Sequence, residues 1–162
     1  SVLTTEISDK LLSSCPVLLV GKLESVLIEE EGALTVVTDK LSLADMVPLT
    51  SGPSRVVVGD VLDADGRRAP RVFVVSFDSR YVVIYDPRLR RVEASVRTGR
   101  GPQALAVDVT PDEAGARGHA LLYVAHFTDS YIGVVDLDTR NARTYGSMFA
   151  TVGQPTPPKD SN

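Results

Sequence analysis

Tryptophan is absent from this 162-residue chain, cysteine occurs once, histidine twice, and aromatic residues together make up only 6 %. Each scarcity excludes something. A single cysteine, Cys15, cannot form an internal disulfide, so it marks no oxidising compartment and reads as a small buried hydrophobe. Two histidines, His119 and His126, fall short of the three or four ligands that a metal centre normally requires, so no metal or cofactor is expected. Long apolar runs are missing as well: runs such as residues 16–20 are far too short to cross a bilayer, and no membrane span is expected. Residues 12–15 have the outline of a lipoprotein cleavage box, but the preceding SVLTTEISDK is polar and carries Asp9 and Lys10, which a signal core does not tolerate.

What is present is ordinary in amount and uneven in placement. Apolar residues at 43 % and charged residues at 23 % are globular values, and the length suffices for one domain with a well-buried core. The net charge of −4 divides into −7 over residues 1–66, +6 over 67–100 and −3 over 101–162. The central block holds nine arginines and could meet an acidic partner. Its arginines fall at alternate strand positions or in turns, with no aromatics interleaved to stack bases, so a solvated face is the simpler reading and nucleic acid is not an expected partner.

The dominant feature is an internal echo. Residues 71–86, RVFVVSFDSRYVVIYD, recur fifty positions later as LLYVAHFTDSYIGVVD at 121–136. Val74, Phe77, Tyr81 and Asp86 reappear as Val124, Phe127, Tyr131 and Asp136. Gly52-Pro53 and Gly101-Pro102 punctuate the copies, each followed by a strand-like run and then an acidic, glycine-containing loop. β-Branched and aromatic runs separated by turn residues predict strands, and helical periodicity is absent after residue 50. Residues 77–81 read as a hairpin turn, and Asp86 and Asp136 open the next turns, where a carboxylate accepts nearby backbone N–H groups.

These marks predict an all-β chain of four-stranded antiparallel units with a period of about fifty residues, the pattern of β-propeller blades. The expected division is a lead-in at 1–16, a degenerate first unit at 17–53 with its middle hairpin at 25–28 and 34–38, a second unit at 54–102, a third at 103–155, and a Pro-rich tail at 156–162. Roughly three blades make an incomplete ring, since closed propellers use about four to eight. The remaining blades are therefore expected from another segment, chain or copy; a three-sheet prism is the alternative that closes at this size.

Without tryptophan the Trp-Asp signature of WD repeats is missing although Gly118-His119 occurs, and no diglycine marks a kelch repeat. The Gly-Pro turn, inner strand, aromatic-Val hairpin and closing Asp instead resemble the YVTN family of bacterial, lactonase-like seven-bladed propellers, best over LYVAHFTDSYIGVVD at 122–136, with Ala125-His126 in place of Thr-Asn. That resemblance implies a bacterial protein outside the cytoplasm, periplasmic, cell-surface or secreted. In such proteins a histidine often follows the proline; here Ser54 and Gln103 stand there, which weakens any carry-over of metal or redox chemistry.

Candidate chemistry is sparse. Asp60, Asp63, Asp65 and Gly66 lack EF-hand spacing and read as a turn. Gly99-Arg100-Gly101-Pro102 lacks the Lys-Ser pair of a phosphate-binding loop, no Gly-x-Ser-x-Gly elbow occurs, and spacing alone supports no catalytic triad. Ser54, Arg55 and Gln103, just after the Gly-Pro turns, are expected to face a central channel and bind ligand, together with His126 and Asp129 at the hairpin turn. The expected function is a non-catalytic scaffold for a protein, peptide or saccharide partner. The alternative is a lactonase-like hydrolase whose decisive residues lie on other blades.

Overall fold

The computed structural model describes residues 17–30 and 33–153, with side chains described from Val47 onward. The lead-in at 1–16 with Cys15, and the tail at 156–162, lie outside the described residues. The chain divides into two compact units at Pro48/Leu49. No helix occurs among the described residues.

In the first unit, β1 (Val17–Glu30) pairs antiparallel with β2 (Ala33–Pro48), from Val17 opposite Pro48 to Glu30 opposite Ala33. Residues 25–28 do face the 34–38 region, but the four short strands expected over 17–53 run together as two long ones. The register shifts at Val20/Gly21 and Val26/Leu27, and a bulge of this kind bends a strand without reversing it.

The second unit carries the repeat. Sheet I comprises β3 (Pro53–Leu62), β4 (Arg68–Ser76), β5 (Tyr81–Asp86) and β6 (Arg91–Arg97), paired in chain order. Sheet II comprises β7 (Pro102–Thr110), β8 (His119–His126), β9 (Tyr131–Asp136) and β10 (Met148–Val152), again with sequential strands adjacent and antiparallel. Turn chemistry sets the boundaries. The Asp63 carboxylate accepts the N–H groups of Asp65 and Arg67, each at 2.9 Å, and Asp86 accepts those of Arg88 at 2.8 Å and Leu89 at 3.0 Å. Arg80 and Ser130 occupy equivalent positive-φ positions at 63° and 54°, closing the two hairpins identically.

The sheets pack through one face each. Alternation along sheet I aims Val57, Val61, Phe73, Val75, Val82, Ile84 and Val96 at sheet II, which answers with Leu105, Val107, Val109, Leu122, Val124 and Val135. Val72, Val74, Val83 and Tyr85, on the opposite face of sheet I, are also buried. The approach is closest along β3, which lies against β7 and β8. Gly59 permits it: a Cβ there would stand 2.9 Å from Val107 Cγ2. At the far end, Leu62 donates to the Leu137 carbonyl at 3.1 Å and accepts from the Thr139 N–H at 2.9 Å, while the Arg68 guanidinium bonds the Val109 carbonyl.

Truncating Phe73, which is fully buried between the sheets, should cost about 3–5 kcal/mol of unfolding free energy in Phe73→Ala, read by urea denaturation. Val58→Ala, at an exposed position of β3, should cost less than about 0.5 kcal/mol.

Candidate functional site

Both Gly-Pro turns are built alike. Gly52 and Gly101 have φ of 72° and 70°, where a side chain is strained, and their carbonyls accept the N–H groups of Phe77 and Phe127, each at 2.7 Å. Pro53 then pairs with Ser76 and Pro102 with His126, and in both strands the next residue is a bulge. Ser54 and Gln103 are those bulged residues. Both are exposed, as is Arg55; the Ser54 hydroxyl reaches the Val75 carbonyl only at 3.5 Å. A bulge turns a side chain out of the regular alternation, and here it presents a polar group at the same end of each sheet.

The same end carries two aromatics of the repeat that were not among the expected ligand-binding residues. Phe77 and Phe127, first residues of the equivalent hairpin turns, are 37 % and 75 % exposed. Their backbone N–H bonds to Gly52 and Gly101 place each one beside its Gly-Pro turn. The available signal was the recurrence of Phe in a turn, where the surrounding residues are polar and no strand face accounts for it.

His126 and Asp129 turn toward the linker between the sheets instead of joining Ser54, Arg55 and Gln103. His126 is buried and stacks on Tyr131 with ring centroids 4.2 Å apart and planes 19° from parallel. Its Nε2 accepts the Gly99 N–H at 3.1 Å, which places the proton of the neutral ring on Nδ1, 3.3 Å from the Tyr131 carbonyl. Burial pushes the imidazole pKa below its ordinary value, overriding the bond to Tyr131 and the charge of Asp129. Asp129 accepts the Arg100 N–H and the Arg100 Nε–H, each at 2.7 Å. Burial opposes its charge, but these two bonds prevail and hold the carboxyl below the usual range. Gly99 is confined by them: a Cβ would fall 2.2 Å from the Tyr131 hydroxyl. The pair therefore anchors residues 99–101 to the hairpin of sheet II.

Two further polar groups lie between or beside the sheets. Buried Arg71 on β4 donates from Nε to Glu93 at 2.8 Å and from its Nη2 at 3.2 Å, with Asp86 3.2 Å away as a second ion pair. Tyr145, in the loop between β9 and β10, donates its hydroxyl to the same Glu93. Burial acts against the charge on Glu93, and its bonds from Arg71 and Tyr145 more than offset that; burial and Glu93 together push the Tyr145 phenol up. Beside β8 and β10, a cleft of about 370 Å³ is lined by Arg117, His119, Leu121, Asp136, Asn141 and Phe149 among others. Asp136 is engaged there by the Asp138 N–H and Asn141 Nδ2, each at 2.9 Å, and by the Thr144 hydroxyl. Asp63 caps the turn that follows β3, while Asp60 is still within β3 and pairs with Arg68 at 3.5 Å.

Comparison with protein-family models, curated proteins and solved structures returns no significant match.

Two outcomes check the linker anchor and the buried ion group. His126 binds its proton less readily folded than unfolded, so the unfolded chain takes up more protons as pH falls through the ordinary value of 6.5. Stability should therefore decline as pH is lowered from neutrality to about 5, above the range where carboxylates titrate, and His126→Gln should flatten that slope in pH-dependent urea unfolding. Arg71→Ala leaves Glu93 and Asp86 without their cation and should cost about 3–5 kcal/mol, by the same measurement.

Proposed function

We propose that this chain is part of a β-propeller-type scaffold, akin to the YVTN repeat proteins, that binds a protein, peptide or saccharide partner outside the bacterial cytoplasm. The observation that carries the reading is the repeated pair of exposed aromatics, Phe77 and Phe127, held beside bulged Ser54 and Gln103 at one end of the sheets. Rigid aromatic faces combined with adjacent polar groups suit recognition of sugar rings and extended peptides, because they supply apolar area with little rotamer entropy to lose. Rigidity comes from the backbone bonds to Gly52 and Gly101 and from the anchored linker. The sheets support the propeller reading through their sequential strand order and their closest approach at the inner strands, β3 and β7.

His126 and Asp129 serve this scaffold as positioning groups. They fix Gly99 and Arg100, and through them the Gly101-Pro102 turn from which Gln103 projects. Titrating the isotope-labelled chain with a panel of oligosaccharides and extended peptides should move the amide signals of residues 54–55, 77–78, 103–104 and 127–128. Phe127→Ala should weaken the binding about tenfold or more, as removal of an interface anchor does. Binding that maps elsewhere and survives combined Phe127→Ala and Gln103→Ala substitution would overturn the proposal.

A further inference from the structure

The internal repeat allows the two sheets to be compared face by face. On sheet I, the face made by Phe73, Val75, Val82, Ile84 and Val96 is covered by sheet II. Strand register maps these positions onto Tyr123, Ala125, Ile132, Val134 and Val152 of sheet II. The equivalent face is likewise apolar; Val134 within it is buried and Tyr123 and Ala125 are half-buried, but its edge on β9 and β10 is open. Ile132 is 38 % and Val152 58 % exposed, against 0 % and 2 % for Val82 and Val96. An apolar sheet face in water marks a contact surface.

The covered copy also shows how such a face is completed. Above Arg71, Asp86 and Glu93, sheet II inserts Tyr145, whose hydroxyl bonds Glu93, and the adjoining Gly146 lies so close to sheet I that a Cβ would stand 2.7 Å from that of Ala94. In sheet II the corresponding positions are Leu121, Asp136 and Phe149, the last being the bulged residue of β10 as Glu93 is of β6. These three line the open 370 Å³ cleft. The cleft thus sits where the following unit would insert its side chain; two of its three equivalent positions have changed from charged to apolar, Arg71 to Leu121 and Glu93 to Phe149, while the acid persists as Asp136.

We infer that the open face of sheet II docks a further four-stranded unit of this same repeat, related to sheet II as sheet II is to sheet I, with an apolar or aromatic side chain seated between Leu121 and Phe149. The inference continues the interface already formed between the two sheets and does not depend on the Phe77/Phe127 surface. A second copy of the chain is the less suitable occupant. Its face equivalent to Leu105, Leu122 and Val124 would be that of Val56, Val72 and Val74, and Val72 and Val74 are already buried.

The test extends the full chain after Gly153 with a second copy of residues 99–153. Hydroxyl-radical labelling of Tyr123 and Phe149 in the first copy should fall severalfold relative to the parent chain, and Ile132→Lys in that copy should restore it. Unchanged labelling in a folded extended chain would overturn the inference. The parent chain supplies an independent arm: Ile132→Lys should leave its thermal midpoint unchanged, whereas Val82→Lys, at the covered equivalent, should unfold it. A large loss on Ile132→Lys, or light scattering that shows a dimer abolished by that substitution, would mean that something else already covers the face. Because neither readout involves ligand, failure here leaves the Phe127 binding test unaffected.

Discussion

Apolar side chains on a β-sheet must be covered, and most of the second unit can be understood from how sheet I and sheet II cover each other. Phe73, Val75, Val82 and Ile84 would cost stability in water at roughly 25 cal/mol for each Å² exposed, and sheet II removes them from it. The other features serve that contact. Gly59 lets β3 and β7 approach, the Leu62 bonds tie the sheets at one end, and the His126 and Asp129 bonds hold the linker at the other.

Polar groups follow the same logic. His126, Asp129, Arg71, Asp86 and Glu93 are each engaged with a partner that fixes backbone or closes the inter-sheet space. Asp86 and Asp136 show how one position diverges within a repeat. The first caps a tight turn and faces Arg71, while the second organises a longer loop through Asn141 and Thr144. The longer loop is also what brings Tyr145 across to sheet I.

The strands from Pro53 to Val152 were readable in advance because period-two alternation, β-branched residues and Asp or Gly turns act locally. The 17–53 segment was less readable: nothing local distinguishes a bulge at Gly21 from a turn, and the structure has two long strands there. Among candidate site residues, the exposure of Ser54 and Gln103 agrees with their position after Gly-Pro. The inward turn of His126 does not follow from sequence, because its partner Gly99 is 27 residues away and meets it only when β7 pairs with β8.

By itself, the sequence determined the building unit, through a repeated hydrophobic pattern and repeated Gly-Pro punctuation whose effects are confined to neighbouring residues. Tertiary structure alone decided which of two equivalent faces is buried. Phe73 and Tyr123 occupy the same place in the repeat, but only Phe73 has another sheet against it, and burial depends on that neighbour.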